Sequence, residues 1–548
     1  MTSVEPAHGA IERASRPVVL VNSMTTVGEH DEYSIDFAEA KLSESLGVGY
    51  LQAFLEAKLS GVRVETYNPI LKQMSAQALA AQVHEIKPLL VGISVVTQWQ
   101  RNFALTLASA IKAELPDTHV VIGGIFPTSD WEGMLLKGNG TVDSICRGEG
   151  ETTLLELVQA LRTGRDWRSL DGLAYVADGR PITNPPRAGY TDLGELPFPN
   201  RARLGVSLER GGVIQVEASR GCNAACVFCD MRRTTWRPRP VEHLLDEVEE
   251  LSRLHPDRSL WFIDNMFIGF GPGRFERVEQ FAREVQRREL KLRFSFQDRA
   301  ENVTMDAIGQ LKSAGLSSLY VGIESFAGSA LKRWAKGASV QTNLDALSVV
   351  GRAGVFCHVG LIVFDDAVSM SEIRHNVNAM ATLAQANPYV HLHNLNELIP
   401  YSGTFLEKLY IQKYSRPPQQ NSKNVWGISS VPVQKFRTWS WAYLQSIWPI
   451  TQLVFALIDD ARVQAALLAL IPVKNRMLAS YLSALLQSID DADADVQLEA
   501  LLATSVAATS SAVHDSLAGC RERWFSAMIE EAIDTVRSAH SRSPSAHA

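Results

Sequence analysis

The chain reads as an α/β protein in three parts: a doubly wound parallel sheet, a second series of β/α units, and a helical tail. Three observations support this. From Pro17, short apolar β-rich runs alternate with amphipathic helical stretches, the pattern of parallel strands buried on both faces. After a Pro-rich connector the alternation resumes at Gly211 for six units, too few for a closed eight-unit barrel. The β signals stop after Pro400-Tyr-Ser-Gly-Thr404, and residues from about 436 to 540 are rich in Ala and Leu at helical spacing.

A chain of 548 residues should hold several domains. The expected divisions are a disordered start (1–16), a Rossmann-like domain (17–165), a hairpin and linker (166–205), a partial barrel (206–410), a helical domain (411–540) and a disordered tail (541–548). Hydrophobic residues make up 46% and charged residues 21%, as in ordinary soluble globular proteins. A net charge of −7 argues against a nucleic-acid surface, which needs clustered Lys and Arg. Six cysteines are too few for a disulfide framework. No secretory h-region and no run of 18 uninterrupted apolar residues is present, so a soluble cytoplasmic protein is expected, with no membrane partner.

In the first domain the expected strands are Val18–Val21, Val62–Tyr67, Leu89–Ser94, His119–Ile122 and Ser144–Cys146. The helices between them are Gly49–Lys58, Ser75–Ile86, Arg101–Glu114 and Glu151–Arg162. Ligands of such sheets lie beyond the carboxyl ends of the strands. Those ends carry Asn22–Gly28, Thr97–Gln100, Gly123-Gly124 and Gly148–Glu151. Asp178-Gly179 signals a hairpin turn, and Pro185-Pro186 to Pro197-Phe-Pro199 an extended linker. In the second domain the strands are Val213–Ala218, Leu260–Asp264, Leu292–Phe296, Ser318–Ile323, Val355–Val363 and Val390–Leu395. Their ends present Cys222–Cys229, Asp264-Asn265, Gln297 with Arg299, Glu324-Ser325, and Asn394 to Glu397. Pro449 and Pro472 should break helices in the tail. Its tryptophans (Trp426, Trp439, Trp441 and Trp448) read as core before pocket lining, and Asp490, Asp491, Asp493 and Asp495 as a solvated loop.

Cys222, Cys226 and Cys229 form a C-x3-C-x2-C loop. Three thiolates at that spacing can converge on one metal centre, leaving one position open on a four-iron cluster or on a tetrahedral zinc. A zinc knuckle would need a fourth ligand nearby, and the next histidine, His243, falls inside an expected helix. With Arg220-Gly221 before the loop and Phe228 before the last cysteine, the segment resembles the signature of the radical S-adenosylmethionine (SAM) enzymes. The resemblance implies that the three cysteines hold a [4Fe–4S] cluster, whose open iron binds SAM, with Phe228 near the adenine. It extends to Phe262-Ile-Asp-Asn-Met-Phe267 and to Tyr320-Val-Gly-Ile-Glu-Ser325 followed by Lys336-Gly337. These segments imply Asp264, Gln297, Arg299 and Glu324 around SAM. Gly360-Leu-Ile-Val-Phe-Asp-Asp366 departs from the family's pattern and leaves Asp365 and Asp366 unassigned.

Upstream, Leu46-Gly-Val-Gly-Tyr-Leu, Val91-Gly-Ile-Ser-Val-Val-Thr, Val121-Ile-Gly-Gly and Arg147-Gly-Glu-Gly-Glu-Thr resemble the cobalamin-binding domain fused to many radical SAM enzymes. Glycines after strands let backbone approach a bulky ligand. The implied cobalamin-binding residues are Ser94, Thr97, Gln98, Gly123, Gly124, Gly148, Glu149 and Gly150. The D-x-H-x-x-G signature that supplies an axial histidine is absent, which implies cobalt without one. His30 and His84 are the other candidates, and both read as surface residues.

Both resemblances together imply cobalamin-dependent radical SAM C-methylation. A 5′-deoxyadenosyl radical takes a hydrogen from an unactivated carbon, methylcobalamin delivers the methyl group, and a second SAM remethylates the cobalt. The expected partners are a small biosynthetic intermediate, free or carrier-bound and of the antibiotic or natural-product type, and an electron donor such as flavodoxin or ferredoxin. Asn394 and Glu397 are the candidate substrate residues. The alternatives are a cobalamin-dependent radical SAM oxidative cyclase or rearrangement enzyme, and a cobalamin or Fe–S sensor. A methylthiotransferase would need more cysteines ahead of Cys222 than Cys146 alone.

Overall fold

A computed structural model describes residues 15–24, 43–72, 74–231, 234–418, 426–489, 494–517, 520 and 522–540. Most of the first sixteen residues, the last eight, His30, and Asp490, Asp491 and Asp493 lie outside the described residues. The chain divides into two compact units, Met1–Gln215 with Pro400–Lys423, and Val216–Ile399 with Asn424–Ala548.

In the first unit, strands β1 (Val18–Asn22), β2 (Val64–Tyr67), β3 (Leu90–Ser94), β4 (His119–Gly123) and β5 (Ser144–Cys146) pair in parallel in the order β2-β1-β3-β4-β5. Val18 to Val21 are all 0–1% exposed, because helices cover both faces of the sheet. Helices α1 (Leu46–Lys58) and α2 (Gly150–Thr163) pack on one face through Leu55, Leu154, Leu157 and Val158. Ala76–Ile86 and Arg101–Glu114 pack on the other through Leu79, Val83, Phe103 and Leu107. Each such side chain contributes roughly 1.5–3 kcal/mol on burial.

The hairpin expected in the connector forms as β6 (Leu173–Ala177) and β7 (Arg180–Thr183), with Asp178 at φ +50° and Gly179 at φ +72° in its turn. It does more than connect. Its first strand pairs antiparallel with β5 and extends the sheet to seven strands.

The second unit carries the six expected β/α strands: β8 (Ile214–Val216), β11 (Leu260–Phe262), β12 (Phe294–Arg299), β13 (Leu316–Glu324), β14 (Phe356–Phe364) and β15 (Val390–Leu392). They neighbour one another in chain order, an open partial barrel, with a two-residue strand, β16 (Asn396–Glu397), beside β14. Between β8 and β11, β9 (Ser219–Cys222) and β10 (Thr234–Pro238) form an antiparallel ribbon.

Helices follow from Val431 onward. Trp441 and Trp426 are buried and donate their indole N–H groups to the carbonyls of Leu395 (2.8 Å) and Leu398 (2.5 Å). Helix α3 (Gln464–Ser488) runs through Pro472 without a break, contrary to expectation. Tertiary packing holds it: Leu467, Leu470, Ile471, Leu478 and Leu482 are all 0% exposed, and that burial outweighs the roughly 3 kcal/mol cost of an interior proline. Pro449, by contrast, sits in the first turn of its helix. The helix Ala494–Ser516 is long and apolar enough to cross a bilayer over Val496–Ser516, with a third of that stretch buried.

Helix α3 also covers the free edge of the barrel. Asn475 accepts from the Leu392 amide (3.2 Å) and donates to the Val390 carbonyl (2.5 Å), replacing the missing strand beyond β15. Asn475→Leu should leave both groups buried and unpaired, at about 1–3 kcal/mol each. Faster hydrogen exchange at the Leu392 amide, with exchange in the first unit unchanged, is the expected result.

Candidate functional site

The cysteine loop grows from a strand end fastened on both sides. Where β8 stops, the amide of Ala218 donates to Asp264 (3.0 Å) and the hydroxyl of Ser219 donates to the same carboxylate. The Ala218 carbonyl accepts from the Arg239 amide (2.9 Å) and from the Arg277 guanidinium (3.0 Å). Asp264 is 2% exposed, and burial pushes its carboxyl up to about 6 against the bonds from Ser219 and Ala218. Expected beside SAM, Asp264 thus turns both oxygens to the root of the loop.

Gly221 then enters the ribbon at φ +86°, where an added Cβ would lie 2.1 Å from the Thr235 carbonyl. Thr234 closes the loop: its hydroxyl accepts from the Cys222 amide (2.9 Å) and donates to the Met231 carbonyl (2.8 Å). Inside the loop, the Cys229 amide bonds the Cys226 carbonyl (3.3 Å) and the Val227 amide bonds the Trp334 carbonyl (3.1 Å). Trp334 is held in turn by Asp365, which also pairs with Arg333 (2.7 Å). Asp365, unassigned from sequence, is therefore a support of the cysteine loop. Its partners lie more than thirty positions away in the chain, so no local signal could have revealed it.

Cys222 and Cys226 are buried and Cys229 partly so, with Phe228 between them half-buried. Burial pushes the Cys229 thiol up to about 12 and raises that of Cys222 as well. Such thiols become ligands only where positive charge stabilises the thiolate. Arg299 donates to the Cys226 sulfur at 3.3 Å. Among the described residues, the one trio of His, Cys, Asp or Glu side chains with ligand atoms all within 4.8 Å of one another is a histidine group elsewhere. The three sulfurs do not form such a trio. Tetrahedral zinc with bonds of about 2.3 Å would hold them about 3.8 Å apart.

Arg299 links the loop to the far side of the site. It also donates to the Lys336 carbonyl and pairs with Glu301. The Lys336 ammonium in turn pairs with Glu324 at 2.8 Å. Glu324 ends β13 at φ +62°, in the left-handed region that side chains rarely adopt, beside a register shift against β14. Gln297 lies on β12 opposite Tyr320, with its carbonyl accepting from the Phe267 amide (3.3 Å). The substrate candidates differ: Glu397 is ion-paired with Arg437 (3.0 Å), both nearly buried, while the buried Asn394 carbonyl oxygen has no protein partner.

In the first unit, the residues expected at the strand ends fall there together. Ser94 ends β3, and Gly123 ends β4. Gly124 follows at φ +117°, where a Cβ would lie 2.2 Å from the Val95 carbonyl. Thr97 precedes a short 3-10 turn in which Gln98 is 4% exposed with its amide nitrogen unpaired. Gly148 donates its amide to Thr128 (2.9 Å), Glu149 accepts from the Tyr190 amide (3.2 Å), and Gly150 opens α2. Gly-Val-Gly-Tyr-Leu, by contrast, belongs to α1. His84 lies in the last turn of its helix and His119 opens β4, so among the described residues the unit's histidines stand at the amino ends of the strands. The strand ends thus offer cobalamin a glycine cradle and no described imidazole.

Family models match in the same order: the B12 binding domain over residues 40–158 and the radical SAM superfamily over residues 216–378. An uncharacterised methyltransferase of Pyrococcus horikoshii is 26% identical over 368 residues, 66% of this chain and 77% of that protein. The 4′-phospho-dehydrooxetanocin synthase of Priestia megaterium is 24% identical over 403 residues, 68% of this chain and 53% of that protein, so the match spans about half its length. The fold is shared with the cobalamin-dependent SAM radical enzyme OxsB, solved with aqua-cobalamin and SAM bound, at a TM-score of 0.75 and 17% identity, covering 97% of this chain and 85% of OxsB.

Two predictions follow from this geometry. Asp264→Ala strips the acceptor from two buried donors at the loop's root, so anaerobic reconstitution should fall well below the four irons per chain expected of the wild type. Co(II) spectra of the full chain with cobalamin should lack imidazole nitrogen hyperfine splitting; its presence would show that a histidine reaches the cobalt. With a B12 binding domain ahead of a radical SAM domain, and with [4Fe–4S], SAM and cobalamin as its cofactors, the chain belongs to the cobalamin-dependent radical SAM enzymes.

Proposed function

We propose that this enzyme is a C-methyltransferase acting on an unactivated carbon of a small biosynthetic intermediate. The observation that carries the reading is the chain of contacts Cys226–Arg299–Lys336–Glu324 at the carboxyl ends of the barrel strands, on the same polypeptide as a B12 fold. When bound, the cluster and SAM supply a 5′-deoxyadenosyl radical and cobalamin supplies the methyl group.

The protein's own residues hold and orient. Cys222, Cys226 and Cys229 hold the cluster, and the Arg299 guanidinium lies against the Cys226 sulfur. Phe228 gives the adenine a face to pack on. Glu324, aimed by its left-handed backbone, offers a carboxylate to the cationic end of SAM, and Lys336 pairs with that carboxylate at 2.8 Å. Gln297 lines the same side. Ser94, Thr97, Gln98, Gly123, Gly124, Gly148, Glu149 and Gly150 hold cobalamin, and Asn394 the substrate. Glu397 acts through Arg437 and orients the segment that carries Asn394. The cobalamin-binding domain takes residues 17–165 and the barrel 206–410, with the segment from Pro400 returning to the first unit. A flavodoxin- or ferredoxin-type donor in a reducing cytoplasm would supply the electron.

A likeness to an anaerobic magnesium-protoporphyrin IX monomethyl ester cyclase, 26% identical over 276 residues, favours a second reading, an oxidative cyclase or rearrangement enzyme. Product analysis separates the two. Methyl transfer should consume two SAM molecules per methyl group, one yielding 5′-deoxyadenosine and one S-adenosylhomocysteine. Turnover that yields 5′-deoxyadenosine without S-adenosylhomocysteine would establish the second reading. Glu324→Gln should weaken SAM binding by about 1–3 kcal/mol and leave the corrinoid content unchanged.

A further inference from the structure

Away from the cysteine loop, three histidines converge inside the second unit. His358 on β14 and His391 on β15 occupy paired positions of adjacent parallel strands, beside Tyr320 on β13. His393 follows β15, two residues beyond His391. Two-residue spacing keeps it on the same face of an extended chain. The three side chains are 5%, 0% and 5% exposed, and their ligand nitrogens all lie within 4.8 Å of one another. From the helical tail, Phe455 stacks on His358 at 4.1 Å and meets His393 edge-on at 4.5 Å, closing the group from above.

Burying three imidazoles together has a cost that ordinary packing does not explain. The Nδ1 atoms of His358 and His391 are 3.0 Å apart, and Nε2 of His391 is fully buried with no hydrogen-bond partner. An orphaned nitrogen in a fully buried ring calls for an absent water or ion. His393 Nδ1 approaches only the His391 carbonyl, at a long 3.4 Å. The Lys474 ammonium donates to the Leu392 carbonyl (2.7 Å).

We propose that His358, His391 and His393 bind one divalent transition-metal ion, zinc by ligand chemistry, at a site separate from the iron–sulfur cluster. Neutral imidazoles suit zinc and its neighbours, and three of them around one ion is an established ligand set. With bonds of about 2.0–2.1 Å, a tetrahedral ion sets its nitrogens about 3.3–3.4 Å apart, so the rings need to move by at most about 1.5 Å. The ion would tie β14 to the segment after β15 and hold Phe455 of the helical tail against the barrel. Its role is structural, since Phe455 closes the site. The site stands whether or not the enzyme proves to be a methyltransferase.

The test uses the anaerobically purified full chain with its cluster rebuilt, incubated with Zn(II) and passed over a chelating resin. About one zinc per chain should remain beside the cluster iron. X-ray absorption at the zinc edge should show only nitrogen or oxygen neighbours at about 2.0–2.1 Å, with imidazole outer shells. His391→Ala and His393→Ala should lose that zinc while keeping the wild-type iron and sulfide. If either fails to take up the cluster, His393→Gln, which preserves bulk at the outermost ligand, carries the same comparison. Sulfur at about 2.3 Å would put the zinc on the cysteine loop and overturn the proposal. So would a wild type that retains no zinc, or variants that retain as much as the wild type.

Discussion

The second unit depends on how one peptide, Ala218, leaves the sheet. Its strand ends there, so its amide and carbonyl lose ladder partners while still buried, and an unpaired group at that depth costs about 1–3 kcal/mol. The Asp264 carboxylate takes the amide, and Arg277 and the Arg239 backbone take the carbonyl. Arg239 is itself fixed by a buried pair with Glu247, 2.6 Å apart, and it also donates to the Glu217 carbonyl. Satisfying one peptide from the segments after β10 and β11 and from the helix Arg274–Arg287 fixes the direction in which the cysteine loop departs.

From that root the supports of the loop run outward through residues distant in sequence. Trp334 and Asp365 steady its middle, while Arg299 joins it to Lys336 and Glu324. Arg299 ends β12, Glu324 ends β13, Asp365 follows β14, and Trp334 and Lys336 come from the segment between β13 and β14. A partial barrel is suited to this because parallel strands present all their carboxyl ends on one rim.

The helical tail belongs to the same structural problem. An open barrel leaves an edge strand whose amides and carbonyls would face solvent or another chain. Asn475 and Lys474 satisfy that edge, and the indoles of Trp441 and Trp426 take the next two free carbonyls. Two of the four tail tryptophans are thereby anchors of the barrel wall, in line with reading them as core.

Strand positions, the hairpin turn, the cysteine loop and the glycines at the strand ends were all legible in the sequence. Each rests on local physics: burial on both faces, a left-handed turn, thiolate spacing, or close backbone approach. The sequence also determined that three thiolates share one loop. What the tertiary structure decided depends on partners brought together from afar. Asp264 supports the loop because Ser219 and Ala218 lie 45 and 46 residues before it. Pro472 stays inside a helix because buried leucines outweigh one lost hydrogen bond. His358 meets His391 and His393 because parallel strands 33 residues apart come into register. No periodicity within one strand encodes a neighbour in the next, because register is set by how whole strands pack.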